Sequence, residues 1–385
     1  MRVLHLASFN GNIGDIANHK GFYNMCYRYI SKNIEFEPLE MREFYKNWNL
    51  RKYDDDLIKY INTFDAFVVG GGNFFDVKWD YSCSGTTFNM SKEMMDKITC
   101  PIIFNCVGID ISDSISSEVC LERFAEFFEY ISQKDNIVVS VRNDDSKKLI
   151  SEYIGQEAAN SIYVIPDEGF FTVAKEYYHP ELPDDKKIIA VNTAKDRIYE
   201  RWDNKEFDYD MYCEELARYI SKCMNENDGY HFVFVPHIPS DIEASYDVIK
   251  KIDDKIVRRG ITVSPYLNGL NTSGDYIVDL YRKCDLTIGM RYHSNICSIA
   301  MHTPALAIFT LQKHVELYKN IGFENRIVSV SEHPFHNDLN SRMQEIIDNR
   351  EEYVKENKKT IELLSKDIMP YLLHIKKIFD VQEEK

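Results

Sequence analysis

An alternation run through twice constrains this chain most. Short apolar runs rich in β-branched and aromatic residues are separated by longer stretches of helical periodicity. In the first half the runs fall at 3–8, 66–69, 101–106, 137–141 and 162–165, and the helical spacing at 15–30, 91–97, 117–131 and 146–154. Strands bounded by turns and separated by helices of that length build βαβ units, which need a mostly parallel sheet. A charged, proline-bearing segment, Tyr178-His179-Pro180-Glu181-Leu182-Pro183-Asp184-Asp185-Lys186-Lys187, then reads as a linker. Beyond it the alternation restarts, with strands at 188–192, 231–235, 261–264, 286–288 and 305–309. Helices fit near 211–224, 242–251, 276–283, 294–300 and 314–320. After Ile327 only 328–330 has strand character, and 339–379 is a long amphipathic helical stretch broken near Pro370.

This pattern predicts an α/β protein of two Rossmann-like domains, 1–178 and 187–330, in a GT-B-like arrangement. A C-terminal helical segment, 331–385, is expected to pack back on the domains. The 385 residues suit two domains of about 100–200 each, and 44% apolar content supplies full-sized cores. Ligands of parallel sheets sit at the carboxyl ends of strands, where helix N-termini point. The site is therefore expected in the turns after strands, in a cleft between the domains.

Charge narrows the partners. With 46 basic and 62 acidic residues the chain carries −16, which argues against a general nucleic-acid binder. A small anion needs only two or three local cations and stays open. The nine cysteines are odd in number, form no CxxC pair and lie partly in apolar runs, as reduced thiols in a reducing compartment do. The opening Met1-Arg2-Val3-Leu4-His5-Leu6-Ala7-Ser8 turns at once into Asn10-Gly11-Asn12, leaving no room for a signal-peptide core. The longest apolar stretch, 296–309, is broken by Ser298, His302, Thr303 and Pro304, so it is too short and polar to span a bilayer. The expectation is a soluble, cytoplasmic protein.

Six strand ends carry candidate chemistry. Asn12 and Asp15 lie in Asn10-Gly11-Asn12-Ile13-Gly14-Asp15, where Asp15 either caps the next helix or reaches the cleft; this is not a dinucleotide fingerprint. Gly70-Gly71-Gly72-Asn73-Phe74-Phe75-Asp76 permits close backbone approach to a ligand, or is simply a βα loop. Arg142 ends a buried strand and Asp167 follows another; a salt bridge and a cap are the plainer roles. His237 ends a strand of the second half. Most informative is Arg291-Tyr292-His293-Ser294 after the strand at 286–288. A guanidinium, an imidazole and a hydroxyl beside free helix N–H groups suit a phosphate or carboxylate. The alternative there is an Arg–Asp salt bridge beside a buried histidine. Walker A, HExxH and GxSxG motifs are absent, and no acidic cluster has metal-ligand spacing, so no metal is expected. His333 and His336, flanking Pro334, read as a surface turn.

In order and spacing these pieces resemble the polysaccharide pyruvyl transferase family. The N-x-G-D turn is matched by Asn12 to Asp15, the G-G-G-N-F-x-D strand end by Gly70 to Asp76, and S-V-R-D-x-x-S with P-D by Ser140 to Ser146, where Asn143 stands at the Asp, and Pro166-Asp167. R-x-H-S, followed by a helix, a Pro-led strand and a Lys, is matched by Arg291 to Lys313. One departure is the end of the second domain's first strand, where the family often has arginine. Here it reads Asn192-Thr193-Ala194-Lys195, with Arg197 two residues on.

The resemblance implies an enzyme that moves the pyruvyl group of phosphoenolpyruvate onto a sugar of a bacterial surface polysaccharide or its precursor. It implies no cofactor beyond that donor substrate, a saccharide acceptor either free or lipid-linked, and at most peripheral membrane contact. Arg291 and Ser294 would hold the donor, and His293 would give the proton or touch the phosphate. Asp15 and Asp76 would orient or deprotonate the acceptor, with Asn12, Gly71, Gly72, Asn73, Arg142 and His237 lining the site. The rival readings are a GT-B glycosyltransferase with a nucleotide-sugar donor, and a homologue without activity that binds glycans or partners.

Overall fold

A computed structural model describes residues 1–111, 117–196, 207–266, 273–309, 311–330 and 333–383. Its contacts divide the chain into two units: Met1–Phe9 with Asn18–Phe171 and Leu364–Lys385, and Asn10–Ala17 with Thr172–Leu363.

The first unit holds a six-stranded sheet. Its strands include β1 (Arg2–Ala7), β2 (Glu35–Glu40) and β3 (Ala66–Gly70). After the two-residue strand β4 (Phe75–Asp76) come β5 (Ile102–Val107), the short β6 (Ile109–Asp110), β7 (Ile137–Arg142) and β8 (Tyr163–Ile165). The order is β2-β1-β3-β5-β7-β8, and every pairing is parallel. Strands β3, β5 and β7 are buried at every residue, as continuous apolar runs covered on both faces should be. β2 was not foreseen, because Glu35-Phe36-Glu37-Pro38-Leu39-Glu40 lacks an apolar run. It pairs with β1 alone, and a sheet edge tolerates both charge and proline. Strand order reverses between β1 and β3, so the sheet's ligand crevice opens beyond Ala7 and Gly70. β4 and β6 form a separate parallel pair that sets Asp76 opposite Asp110.

The second unit repeats the plan with β9 (Lys187–Asn192), β10 (Tyr230–Phe234), β11 (Ile261–Val263), β12 (Leu286–Gly289), β13 (Ala305–Phe309) and β14 (Ile327–Ser329). The order β11-β10-β9-β12-β13-β14 is the Rossmann order, with its switch point between β9 and β12. Alternate residues of β9 serve opposite faces. Ile189 and Val191 join the core around the helix Tyr209–Glu226, while Ile188 and Ala190 join one built on the helix Ser273–Lys283. Ile13 and Ala17, one turn apart on the helix Ile13–Tyr29, are buried in that second core. Residues 10–17, counted by sequence with the first domain, therefore make their contacts in the second unit.

The C-terminal stretch is three helices, His336–Asp348, Arg350–Asp367 and Met369–Glu383. The last break falls before Met369. Pro370 stands in the first turn of the helix that follows, where its missing N–H costs nothing. His333 and His336 are more than a surface turn. Their Nδ1 atoms lie 2.7 and 3.5 Å from the two oxygens of Glu215, which also accepts from the Phe335 N–H at 2.8 Å. None of the nine cysteines forms a disulfide, and only Cys83 is exposed. Among the described residues no helix is long and apolar enough to cross a membrane.

Within the first unit, the final helix is tied to the sheet by a buried polar chain. The Tyr371 hydroxyl donates to Asn105 Oδ1 at 2.6 Å, and Asn105 Nδ2 donates to Glu168 Oε2 at 2.7 Å. Burial pushes the Glu168 carboxyl well above its usual 4.5; the Asn105 bond opposes this, and the charge of Asp167 adds to it. A raised folded-state pKa means that Glu168 contributes fully below about 4.5, and that its contribution is lost as pH rises through the folded value. Denaturant titrations should therefore show wild-type stability falling with pH above that point relative to Glu168→Gln. Parallel pH profiles for the two proteins would reject the buried neutral acid.

Candidate active site

The switch point of the second unit brings together four of the expected residues. Beyond β12 the chain turns at Met290 and Arg291 into the helix Tyr292–Ala300. Asn192, at the end of β9, fixes that turn: its carbonyl accepts from Met290 N–H at 3.0 Å and its Oδ1 from Arg291 N–H at 2.9 Å. The Ser294 hydroxyl donates to the Arg291 carbonyl at 2.7 Å, and Asn295 Nδ2 donates to the carbonyls of Gly289 and Arg291 at 3.0 and 2.9 Å. Ser294 was expected to bind substrate. In this structure it is fully buried and its hydroxyl closes the turn, because a hydroxyl three residues into a helix meets the carbonyl behind it.

The Arg291 guanidinium is already held by acids. Nε donates to both oxygens of Asp241, at 3.0 and 2.8 Å, and Nη2 to Oδ1 at 2.5 Å. The outer edge bonds Asp196, with Nη1 at 3.3 Å from Oδ2 and Nη2 on Oδ1. Asp241 is fully buried and also accepts from the N–H of His237 at 2.9 Å; Asp196 is 34% exposed. Burial opposes the guanidinium charge, but the bonds to the two carboxylates outweigh it and raise its pKa. The salt-bridge alternative is thus the arrangement of the free protein. Lys195 is engaged too, by Glu243 and, at 3.8 Å, by Asp247; Arg197 lies outside the described residues.

Asn12, Asp15 and His293 meet at the start of the helix Ile13–Tyr29. Asn12, not Asp15, is the cap: its Oδ1 accepts from Gly14 N–H at 3.0 Å. Asp15 stands half-buried in the first turn, where the helix dipole favours an acid. Gly14 lies against the buried His293 ring, and a side chain there would place its Cβ 2.6 Å from Cγ of His293. The Ile13 N–H donates to the carbonyl of His237 at 3.2 Å, and His237 Nε2 lies 2.6 Å from the Tyr281 hydroxyl. Burial, then the nearby Arg291 and His293, push the His237 pKa well down, which keeps that imidazole neutral.

The switch point of the first unit is built differently. Gly70 and Gly71 have φ of +135° and +82°, open to glycine at little cost. What approaches them is protein. The Asn105 carbonyl crowds Gly70, and a Cβ on Gly71 would stand 2.5 and 2.7 Å from Asn18 Oδ1 and His19 Nδ1. Side chains and backbone of the same unit thus pack tightly around Gly70 and Gly71, and the three atoms nearest to a Cβ built on Gly72 all belong to the Phe74 ring. Arg142 is likewise committed inside the unit. It pairs with the buried Asp144 and Asp167, each at 3.3 Å, and Nη2 donates to Asn73 Oδ1 at 3.3 Å. It positions Asn73 rather than offering an open fork. Asp76 is half-buried and pairs with Lys78 at 2.8 Å. Among the described residues no group of three His, Cys, Asp or Glu is placed to hold a metal.

Asn192, Asp196, Asp241 and Tyr281 were missed on sequence. Asp241 had a readable signal, an acid two residues after Pro239 at a helix start, whereas nothing local marks Tyr281.

Two parallel-sheet α/β units followed by a helical C-terminus are the parts of a GT-B-type fold. Solved structures agree in fold. A protein from Listeria monocytogenes described as a putative UDP-N-acetylglucosamine 2-epimerase has a TM-score of 0.56 at 12% identity, covering 93% of this chain and 90% of its own. A UDP complex of S. aureus MnaA gives 0.53 at 12% identity, covering 92% and 90%. A trehalose-phosphate synthase from Burkholderia vietnamiensis gives 0.52 at 10% identity, covering 98% and 100%. No curated protein matches the sequence. The chain matches the polysaccharide pyruvyl transferase family over residues 12–308 and belongs to it, which makes it a transferase.

The Gly14 contact is open to test. Gly14→Ala should displace the His293 ring, shifting its resonances and lowering pyruvyl transfer about 100-fold, the order expected for a 1 Å misplacement. Unchanged resonances and turnover would show that the contact is incidental.

Proposed function

We propose that the enzyme transfers the pyruvyl group of phosphoenolpyruvate to two hydroxyls of a saccharide, forming a ketal on a surface polysaccharide or its precursor. The observation that carries this reading is Arg291 with His293 at a helix N-terminus on the Rossmann switch point, in a chain of this family. The chemistry asks for such a set. The methylene carbon of the enol takes a proton and becomes a methyl, which makes the neighbouring carbon electrophilic. One sugar hydroxyl adds there and loses its proton, the bond to the phosphate oxygen breaks, and the second hydroxyl closes the ring. One of the two released protons leaves with phosphate, and the other restores the acid.

His293 is assigned the proton donor, since imidazole works at neutral pH, and Arg291 with the helix N–H groups binds the donor's anionic oxygens. Asp15 is assigned to the acceptor hydroxyls. No cofactor or metal is invoked. Because Asp196 already fills the outer edge of Arg291, donor binding must displace it, while the buried Asp241 keeps the inner edge. A carboxylate or phosphate offers the same two-oxygen geometry.

Several outcomes follow from this assignment. Phosphoenolpyruvate at 100 times its dissociation constant should stabilise the fold by about 2.7 kcal/mol, read as a melting shift. Asp196→Asn should tighten donor binding, because it removes the competitor without stranding a buried charge; unchanged or weaker binding would dismiss the displacement step. Arg291→Ala is a poor probe, since leaving Asp241 unpaired costs about 3 kcal/mol, so Arg291→Lys is the variant of choice for loss of the shift. His293→Ala should lower turnover about 100-fold in a folded protein. A melting shift with a nucleotide diphosphate, and none with millimolar phosphoenolpyruvate, would replace this reading with a nucleotide-sugar glycosyltransferase.

A further inference from the structure

The switch point of the second unit holds a buried polar atom that the assigned chemistry does not use. His237 is 1% exposed, and its Nδ1 has no hydrogen-bond partner among the described residues. Its backbone is pinned on both sides, with N–H on Asp241 at 2.9 Å and carbonyl on the Ile13 N–H at 3.2 Å. The ring's Nε2 lies 2.6 Å from the hydroxyl of Tyr281, a residue with no exposed surface.

Hydrogen-bond accounting decides which atom carries the proton. If Nε2–H donated to Tyr281, the tyrosine proton and the Nδ1 lone pair would both be buried without partners. If Tyr281 donates to Nε2, only Nδ1–H is left. The second arrangement strands fewer buried groups and is therefore favoured. Burial and the neighbouring Arg291 and His293 keep the imidazole neutral, so this tautomer is not lost to double protonation.

We propose that Tyr281 is a positioning residue that holds His237 as its Nδ1–H tautomer, and that this N–H donates to an anionic oxygen of the donor substrate. The role rests on the function proposed above and deepens it. His237 would be a fixed neutral donor beside the cation and the proton source, not an acid or base. Such a group adds an oriented dipole to an anion site without repelling Arg291 or His293. No local sequence pattern links His237 to Tyr281, which lie on a strand end and a helix 44 residues apart.

Nitrogen-15 histidine NMR on the full chain tests the first half, with the His237 signals assigned by their loss in His237→Asn. The free wild type should show the Nδ1–H form, and Tyr281→Phe should admit the Nε2–H form. A wild-type ring in the Nε2–H form overturns the proposal whatever the variants do. Calorimetric titration tests the second half. An asparagine amide nitrogen can stand near the position of the lost Nδ1, so His237→Asn should bind phosphoenolpyruvate nearly as well as wild type. His237→Leu should bind about 10- to 100-fold more weakly, the loss expected for a hydrogen bond to a charged group. Inorganic phosphate and pyruvate, titrated separately, identify the donor oxygen by which of them moves the Nδ1–H resonance. If wild type binds phosphoenolpyruvate and His237→Leu binds it equally well, this inference fails alone. If wild type binds none, the proposed function fails and takes this role of His237 with it.

Discussion

A fully buried carboxylate, Asp241, accepts at once from the backbone N–H of His237 and from the inner edge of the Arg291 guanidinium. A buried ion pair contributes little unless its remaining donors and acceptors are satisfied, and here they are. The strand end after β10, the first turn of the helix Pro239–Ile249 and the turn after β12 are thereby held in one arrangement. The His237 ring and the outer face of Arg291 take their places from it. With Asp196 added, the cluster carries one positive and two negative charges, so in the function proposed above an anion would bind by taking the place of Asp196. Exchange of this kind would make selectivity depend on geometry more than on net field, in a chain at −16 overall.

The first unit uses the same device to another end. Arg142 also stands between two acids, Asp144 and Asp167, but all three are buried and the arginine's remaining arm holds Asn73. Such a residue can matter to a reaction through the loop it fixes and still never touch a substrate. The glycines at 70 and 71 belong to that loop for a comparable reason: backbone and side chains of the same unit crowd them. In both units the polar residues at the strand ends divide into those that build the turn and those that face outward. Ser294, Asn295 and Arg142 are builders, and Asp196 and Asp76 are partly open.

Much of the fold could be read from the chain. Runs such as Ile102-Ile103-Phe104-Asn105-Cys106-Val107 and Ile188-Ile189-Ala190-Val191 are apolar on both faces, so they had to be central parallel strands. The interposed helices then dictated crossover connections and a Rossmann-type plan, and R-x-H-S stands in the turn between a strand and a helix, as its place in the sequence implied. Local signals fell short where an element takes its stability from a neighbour. β2 is a strand because β1 offers it an edge, not because Glu35 to Glu40 favours one. Residues 10–17 count with the second unit because Ile13 and Ala17 bury against the helix Ser273–Lys283.

Side-chain roles divide in the same way. Residue type and position along a strand end depend only on nearby sequence, so the presence of Arg291, His293, Asp15 and Asp76 at such ends was legible, as was membership of a pyruvyl transferase family. Which carboxylates hold Arg291, which hydroxyl orients His237, and whether Arg142 is open or committed depend on contacts between residues 25 to 95 positions apart. No periodicity or motif spacing encodes such a pairing, since a hydrogen bond has a range of about 3 Å and only the folded chain brings those atoms within it.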